Sequence, residues 1–215
     1  MMNINKYIDH TALKSFTLEA DVEKLCAEAI KYNFKSVCVN PCDVALCKSL
    51  LKDSDVEVCT VIGFPLGKNK TEVKVYETEL AVGDGATEID MVINVAKLKE
   101  KDYNYVQREI EAVIKAAKGN LVKVIIETGL LTDSEIAKAT QIVCNAKADY
   151  VKTCTGFTGG VATKQAVEIM KANLSGNTKI KASGGVKTKD SALEFINLGV
   201  SRIGTSSSID IVEGK

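Results

Sequence analysis

The sequence predicts a (β/α)8 barrel with an additional N-terminal helix, built as one domain over residues 1–215. Three observations predict it. A strand, turn and helix recur about eight times along the chain, as parallel βαβ units do. No Pro/Gly-rich linker divides the series, and the chain has only 2 prolines. Gly/Ser turns follow the last two strand-like segments, where barrels of this kind commonly bind phosphate. A doubly wound open sheet is the alternative, weakened because no G-x-G-x-x-G follows an early strand.

The elements follow in order. A short opening segment, Tyr7-Ile8-Asp9-His10-Thr11, precedes Thr17, which reads as the N-cap of a helix with an apolar face of Leu18, Val22, Leu25, Cys26 and Ala29. The β-branched run 36–40 ends at Pro41, placed where a first helical residue belongs, and that next helix carries Val44, Cys47 and Leu51. Residues 56–62 read as a strand, followed by a helix through Val73, Tyr76 and Leu80 that stops at Gly83. Strand 88–94 leads to a helix using Val106, Ile110, Val113 and Ala117, with Gly119 as its stop. Strand 122–127 leads to a helix opened by a capping box, Thr132 with Glu135. Strand 149–152 is followed by a helix starting near Thr163, strand 179–183 by one capped by Thr188 and stopped by Gly199, and the segment 202–208 closes the series.

Composition excludes several function classes. Lys+Arg and Asp+Glu both number 28, and no basic stripe stands out, so neither nucleic acid nor a membrane is an expected partner. The expected partner is a small molecule. The first residues lack the apolar core of a signal peptide and no run is long enough to span a bilayer, which together read as a cytoplasmic protein. The 7 cysteines read as free thiols, because Cys38, Cys42 and Cys47 are not spaced as paired zinc ligands and the chain has 1 histidine. No metal and no cofactor is expected.

In a barrel, chemistry collects at the carboxyl ends of the strands. That makes Asp9, Cys38, Asn40, Asp90, Asn94, Glu127, Lys152 and Lys181 candidates for the mouth. Lys152 stands out because it interrupts the strand-like Tyr150-Val151-Lys152 just before a Thr/Gly turn. A buried amine either finds a carboxylate or loses its proton and becomes a nucleophile. Lys152 and Lys181 lie on adjacent strands, about 4.8 Å apart if both are internal, and two inward ammonium groups disfavour each other's charge. Each lysine could equally belong to a solvated or salt-bridged strand face. Asp90 is a candidate proton-relay partner, or an ordinary ion-pair partner. Ser183-Gly184-Gly185-Val186-Lys187 and Gly204-Thr205-Ser206-Ser207 offer backbone N–H groups, hydroxyls and a helix start to a phosphate.

Together, Asp9-His10-Thr11, Val37-Cys38-Val39-Asn40-Pro41, Gly63-Phe64-Pro65-Leu66-Gly67, the segment from Glu88 to Asn94, Lys152-Thr153-Cys154-Thr155-Gly156-Phe157 and Lys181-Ala182-Ser183-Gly184-Gly185-Val186 resemble the deoxyribose-phosphate aldolase family. The match runs in the right order over nearly the whole chain. The resemblance implies a class I aldolase that reversibly cleaves 2-deoxy-D-ribose 5-phosphate to acetaldehyde and D-glyceraldehyde 3-phosphate. It implies that Lys152 forms the Schiff base, that Lys181 tunes it and that Asp90 takes part in proton transfer. Asp9 and Thr11 would support that network, with Thr155 near the sugar hydroxyls and Gly156, Gly184, Gly185, Gly204, Ser206 and Ser207 around the phosphate. A homo-oligomer, a dimer, is the expected assembly.

Two departures stand out. Cys154 replaces the usual serine of the motif, and the chain ends Val212-Glu213-Gly214-Lys215 where some relatives carry a tail with a terminal tyrosine that helps move the substrate proton. That role is then expected to pass to a water held by Asp90 and Lys181. Two other readings remain open at this point. One is a phosphosugar-binding barrel without chemistry, which would need neither lysine; the other is an isomerase, for which Glu127 would serve as base, with His10, the only histidine, placed at the periphery.

Overall fold

The computed structural model of the chain describes residues 3–214; Met1, Met2 and Lys215 lie outside the described residues. Its strands are β1 (Ile8–Ala12), β2 (Ser36–Val39), β3 (Glu57–Ile62), β4 (Glu88–Val92), β5 (Leu121–Ile125), β6 (Tyr150–Lys152), β7 (Lys179–Ser183) and β8 (Arg202–Thr205). They pair in parallel in chain order, and β8 closes on β1, so no edge is left unpaired. The helices are α1 (Glu19–Tyr32), α2 (Val44–Leu50), α3 (Thr71–Gly83), α4 (Val95–Lys99), α5 (Tyr103–Ala116), α6 (Asp133–Asn145), α7 (Lys164–Ala172), α8 (Lys189–Asn197) and α9 (Ser208–Glu213).

Alternation along each strand sorts the residues into two layers. Val37, Val58, Ile89, Val122, Val124, Val151, Ile180 and Ile203 point outward and are buried against the helices in one continuous apolar belt. Each such side chain contributes about 1.5–3 kcal/mol by leaving water, which makes this belt the stabilising core. The inward positions are polar to an unusual degree: Asp9, Ser36, Glu88, Asp90, Lys123, Lys152, Lys181 and Arg202 are all buried. A smaller apolar group inside, Leu13, Cys38, Cys59 and Val61, fills the β1–β3 side.

Local signals place several helix ends as expected. Thr132 and Glu135 form the capping box of α6, with Glu135 Oε2 accepting from Thr132 N–H at 2.8 Å and Thr132 Oγ1 accepting in return at 3.3 Å. Thr163 and Thr188 cap α7 and α8. The cap of α1 falls on Leu18 rather than Thr17, because Asp21 reaches back to accept from Leu18 N–H at 3.0 Å. The helix expected as an addition to the barrel is its regular first helix, packed on β1 and β2; only a 3-10 turn, Ile4–Tyr7, precedes β1. The extra helix lies elsewhere, in α4 between β4 and α5.

One helix is turned over relative to its apolar pattern. Val73, Tyr76 and Leu80 of α3 are 48%, 63% and 52% exposed, while Lys74, Thr78 and Ala81 face inward. The cause is Lys74, whose ammonium donates inside the protein to Glu109 Oε1 at 2.7 Å, Val92 O at 2.7 Å and Gly67 O at 2.9 Å.

Candidate active site

Lys152 and Lys181 are register partners on β6 and β7, so both project into the lumen at one level. Asp90 of β4 meets them there: its Oδ2 lies 2.6 Å from Lys152 Nζ and 2.6 Å from Lys181 Nζ. The two ammonium groups therefore share one carboxylate oxygen and do not face each other bare. Asp9 of β1 joins them, with Oδ2 2.5 Å from Lys181 Nζ, close as a charge although misaligned as a hydrogen bond. Lysines 152 and 181, Asp90 and Asp9, singled out from the sequence, form one cluster.

The sequence reading passed over the rest of that cluster. Lys123 of β5 sits 2.7 Å from Asp90 Oδ1, 2.7 Å from Glu88 Oε2 and 3.3 Å from Cys59 Sγ. Arg202 of β8 forms the floor, donating to Asp9 Oδ1, to Glu88 at 2.7 and 3.0 Å, and to Ser36 Oγ at 3.2 Å. The signal for Lys123 was available: it interrupts Val122-Lys123-Val124 as Lys152 interrupts its own strand. Glu88 likewise stands two residues before Asp90, on the same face.

The electrostatics follow from these contacts. Burial by itself raises the carboxyl of Asp90, but Lys123, Lys152 and Lys181 outweigh it and hold the group well below the usual carboxylate range. Asp9 is lowered in the same way, with Arg202, Lys181 and Lys123 prevailing over burial. The reverse holds for the bases: burial opposes the charge of Lys181 and Lys123, yet the neighbouring carboxylates lift both above an ordinary lysine. Cys38 and Cys59 come together with Asp90, their possible ligand atoms within 4.8 Å of one another. That carboxylate already carries three lysine contacts, whose charge opposes a divalent cation.

Above the cluster opens a cavity of about 670 Å³, and Lys152 is the one lysine of the network that lines it. Thr11, Thr155, Gly156, Gly184, Gly185, Gly204, Ser206 and Ser207 line it too, so every sequence-predicted substrate contact faces one space. Gly184 and Gly185, at φ +92° and +79°, take a backbone form that a side chain would strain, and this turns the β7–α8 loop toward the cavity. Thr153 and Ser183 stitch β6 to β7 reciprocally, at 2.8 and 2.9 Å, and fix that loop beside Lys152. Lys14 and Lys187 stand on the rim as cations, and Phe157 closes one side edge-on to Phe64, with centroids 5.1 Å apart.

Other candidates serve the scaffold. Asn94 caps α4 by accepting from Lys97 N–H at 3.2 Å. Glu127, in a left-handed conformation at φ +57°, lies behind the cavity and accepts from Thr155 N–H at 3.1 Å, which holds the loop after Lys152 in place. His10 points outward, 3.0 Å from Glu28 and 2.9 Å from Ser208 Oγ. Cys154 faces away from the cluster, 3.1 Å from Thr128 Oγ1, and burial pushes its thiol up.

Comparison with known proteins agrees with this arrangement. The chain matches the DeoC/LacD family aldolase model over residues 4–205. It is 54% identical to the deoxyribose-phosphate aldolase of Finegoldia magna, over 99% of this chain and 100% of that one, and 53% identical to deoxyribose-phosphate aldolase 1 of Bacillus licheniformis, over 98% and 95%. Among solved structures it is similar to an aldolase called QR15, with TM-score 0.95, 42% identity and 99% and 96% coverage. It is also similar to the tetrameric deoxyribose phosphate aldolase of Aeropyrum pernix, with TM-score 0.90, 32% identity and 98% and 89% coverage. A closed barrel with a lysine–carboxylate lumen beneath a glycine-lined cavity, and a match that covers nearly every residue, lead to one conclusion: the chain belongs to the DeoC/LacD family of aldolases.

Proposed function

We propose that this chain is a class I aldolase that reversibly cleaves 2-deoxy-D-ribose 5-phosphate to acetaldehyde and D-glyceraldehyde 3-phosphate, with Lys152 as the Schiff-base residue. The observation that carries the reading is the position of Lys152, the single amine of the lumen cluster that reaches the cavity. Lys152 Nζ adds to C1 of the open-chain sugar, and the carbinolamine loses water to an iminium. As the C3 hydroxyl gives up its proton, the C2–C3 bond breaks, and its electrons flow into the iminium as an enamine while glyceraldehyde 3-phosphate leaves. The enamine takes a proton at C2 and water hydrolyses the iminium, releasing acetaldehyde and the free amine.

Asp90 and Lys181 stand beside the nucleophile as the groups that move these protons, with Asp9 holding Lys181 in place. Thr155 faces the sugar hydroxyls, while Gly156, Gly184, Gly185, Gly204, Ser206 and Ser207 surround the phosphate, whose charge Lys14 and Lys187 balance. The test is borohydride trapping with acetaldehyde, read by peptide mass spectrometry. Label on Lys152 with activity that survives excess chelator is expected. Label elsewhere, or activity that chelator removes and zinc restores, would overturn the assignment.

The assembly we propose is a dimer of one-domain subunits, in which a second copy covers the exposed apolar stripe of Val73, Tyr76 and Leu80. Tyr76→Glu should then lower the sedimentation coefficient to that of a monomer. An unchanged coefficient would place the contact on another face. A cytoplasmic location is proposed on the seven free cysteines, which suit a reducing compartment; among the described residues no helix is long and apolar enough to cross a membrane.

A further inference from the structure

The lumen network does not balance as a set of ions. Among the described residues, Asp9, Glu88 and Asp90 face Lys123, Lys152, Lys181 and Arg202 in one connected cluster. Fully ionised, these groups carry three negative charges and four positive ones. Excess charge in a site shielded from water is costly, and the release of one proton would remove it. Arg202 cannot be its source, because a guanidinium keeps its proton.

The three lysines are held unequally. Lys123 has carboxylate oxygens at 2.7, 2.7 and 3.9 Å and Lys181 has two, at 2.5 and 2.6 Å, whereas Lys152 has one, at 2.6 Å. Lys152 is also the lysine with a route to water, through the cavity. We propose that Lys123 is a positioning residue for the reaction: by occupying Asp90 Oδ1 and Glu88 it makes the cluster one positive charge too rich and leaves Lys152 as the base that gives up its proton to cavity water. The inference rests on the Schiff-base reading of Lys152. The burial-opposed but carboxylate-held ammonium groups of Lys123 and Lys181 agree with it.

Two further kinds of titratable group face this cluster. Cys38 of β2 and Cys59 of β3 lie beside Asp90, and Tyr150 of β6 stacks near Arg202, with the guanidinium 6.0 Å from the ring centroid. Burial raises the Cys59 thiol well above its ordinary value and raises the Tyr150 hydroxyl, whereas the hydrogen bond to Cys59 lowers the Cys38 thiol. Cys38 is therefore the rival source of compensating charge, as a thiolate.

The experiment is the pH dependence of borohydride-trapped acetaldehyde on Lys152, read by peptide mass spectrometry in the intact protein and its variants. Lys123→Met takes away one positive charge, so the rising limb should move to higher pH by about one unit or more. Glu88→Gln takes away a negative charge without touching Lys152, and the limb should move to lower pH. Both variants disturb the same network, so a merely structural role would move them together or not at all. Shifts in one direction, or none, overturn the proposal. If Lys123→Met fails to fold by circular dichroism, the downward shift of Glu88→Gln decides alone. Cys38→Ala should leave the limb within a few tenths of a unit; a shift as large as that of Glu88→Gln would give the compensating charge to the thiolate and sink the count. Wild-type protein that takes no label on Lys152 at any pH would instead remove the Schiff-base reading, and this inference with it.

Discussion

Lys74 and Lys152 are two buried lysines, 0% and 3% exposed, each within 2.7 Å of a carboxylate, and they differ in everything that matters for reactivity. Lys74 donates to three acceptors, two of them backbone carbonyls, and ties α3 to the loop after β3, to the end of β4 and to α5. Its nitrogen has no side open to a substrate. Lys152 has one acceptor and a cavity above it. Burial is thus common to both, and the number of protein acceptors separates a clamp from the proposed nucleophile. The fields differ too. Around the Lys74–Glu109 pair burial prevails, lowering the lysine and raising the carboxyl, whereas in the lumen the surrounding opposite charges prevail and hold Asp9 and Asp90 down.

The sharpest break between the two is functional. Lys152→Leu should lower kcat by on the order of 10⁴-fold or more, because no other amine reaches the cavity floor, while the thermal midpoint stays within a few degrees. Steady-state kinetics beside a melting curve checks both halves. A midpoint that collapses would make Lys152 a clamp as well.

Lys74→Met should show the opposite pattern. It strands Glu109 in the interior and should cost about 3–5 kcal/mol of unfolding free energy, with kcat of the folded enzyme changed by less than about threefold. Urea denaturation measures it. Lys74→Met with Glu109→Leu should recover part of the loss, since the unpaired charge is gone.

At the other end of the cavity, a substrate without its phosphate should lose roughly a hundredfold in kcat/KM, as charge-assisted contacts contribute on the order of 1.5–3 kcal/mol each. Lys14→Ala should reproduce a part of that loss on the phosphorylated sugar and leave the rate on free deoxyribose unchanged. Equal loss on both sugars would detach Lys14 from the phosphate.

The smallest effect is on stability against pH. Asp9 and Asp90 have folded values lowered below their unfolded ones, so the stability they contribute is present above about pH 4 and is lost as pH falls below it. Glu109 has a raised folded value, so its protonation works in the other direction. Urea midpoints between about pH 6 and 3 should fall, and fall less steeply in Asp9→Asn than in wild type, while Glu109→Gln should steepen the fall.

The barrel was legible because its signals are local: β-branched runs, Gly stops and the Thr132 capping box each act over a few residues. The lumen cluster was legible where a lysine broke an apolar strand before a Thr/Gly turn, and where the motifs of the resemblance drew in Asp9 and Asp90. Lys123, Glu88 and Arg202 were passed over because a charged residue in a strand ordinarily faces water, and only closure of β8 on β1 turns those positions inward. The α3 stripe misleads for a related reason. Its periodicity is sound, but Lys74 finds three acceptors inside, and their combined pull outweighs burying Val73, Tyr76 and Leu80.

Gly204 belongs to both ends of the site. It lines the cavity beside the loops proposed to hold the phosphate, and a methyl group there would stand 3.0 Å from Lys181 Cε and 3.0 Å from Ser183 Cβ. The lysine stem occupies the space that a side chain on β8 would otherwise fill. Any enlargement of that wall must therefore press on the Lys181 stem as it narrows the cavity. Specificity for the phosphate end and protonation at the lysine end are thus not separate traits for evolution or engineering to adjust one at a time. Through this position they are inherited together.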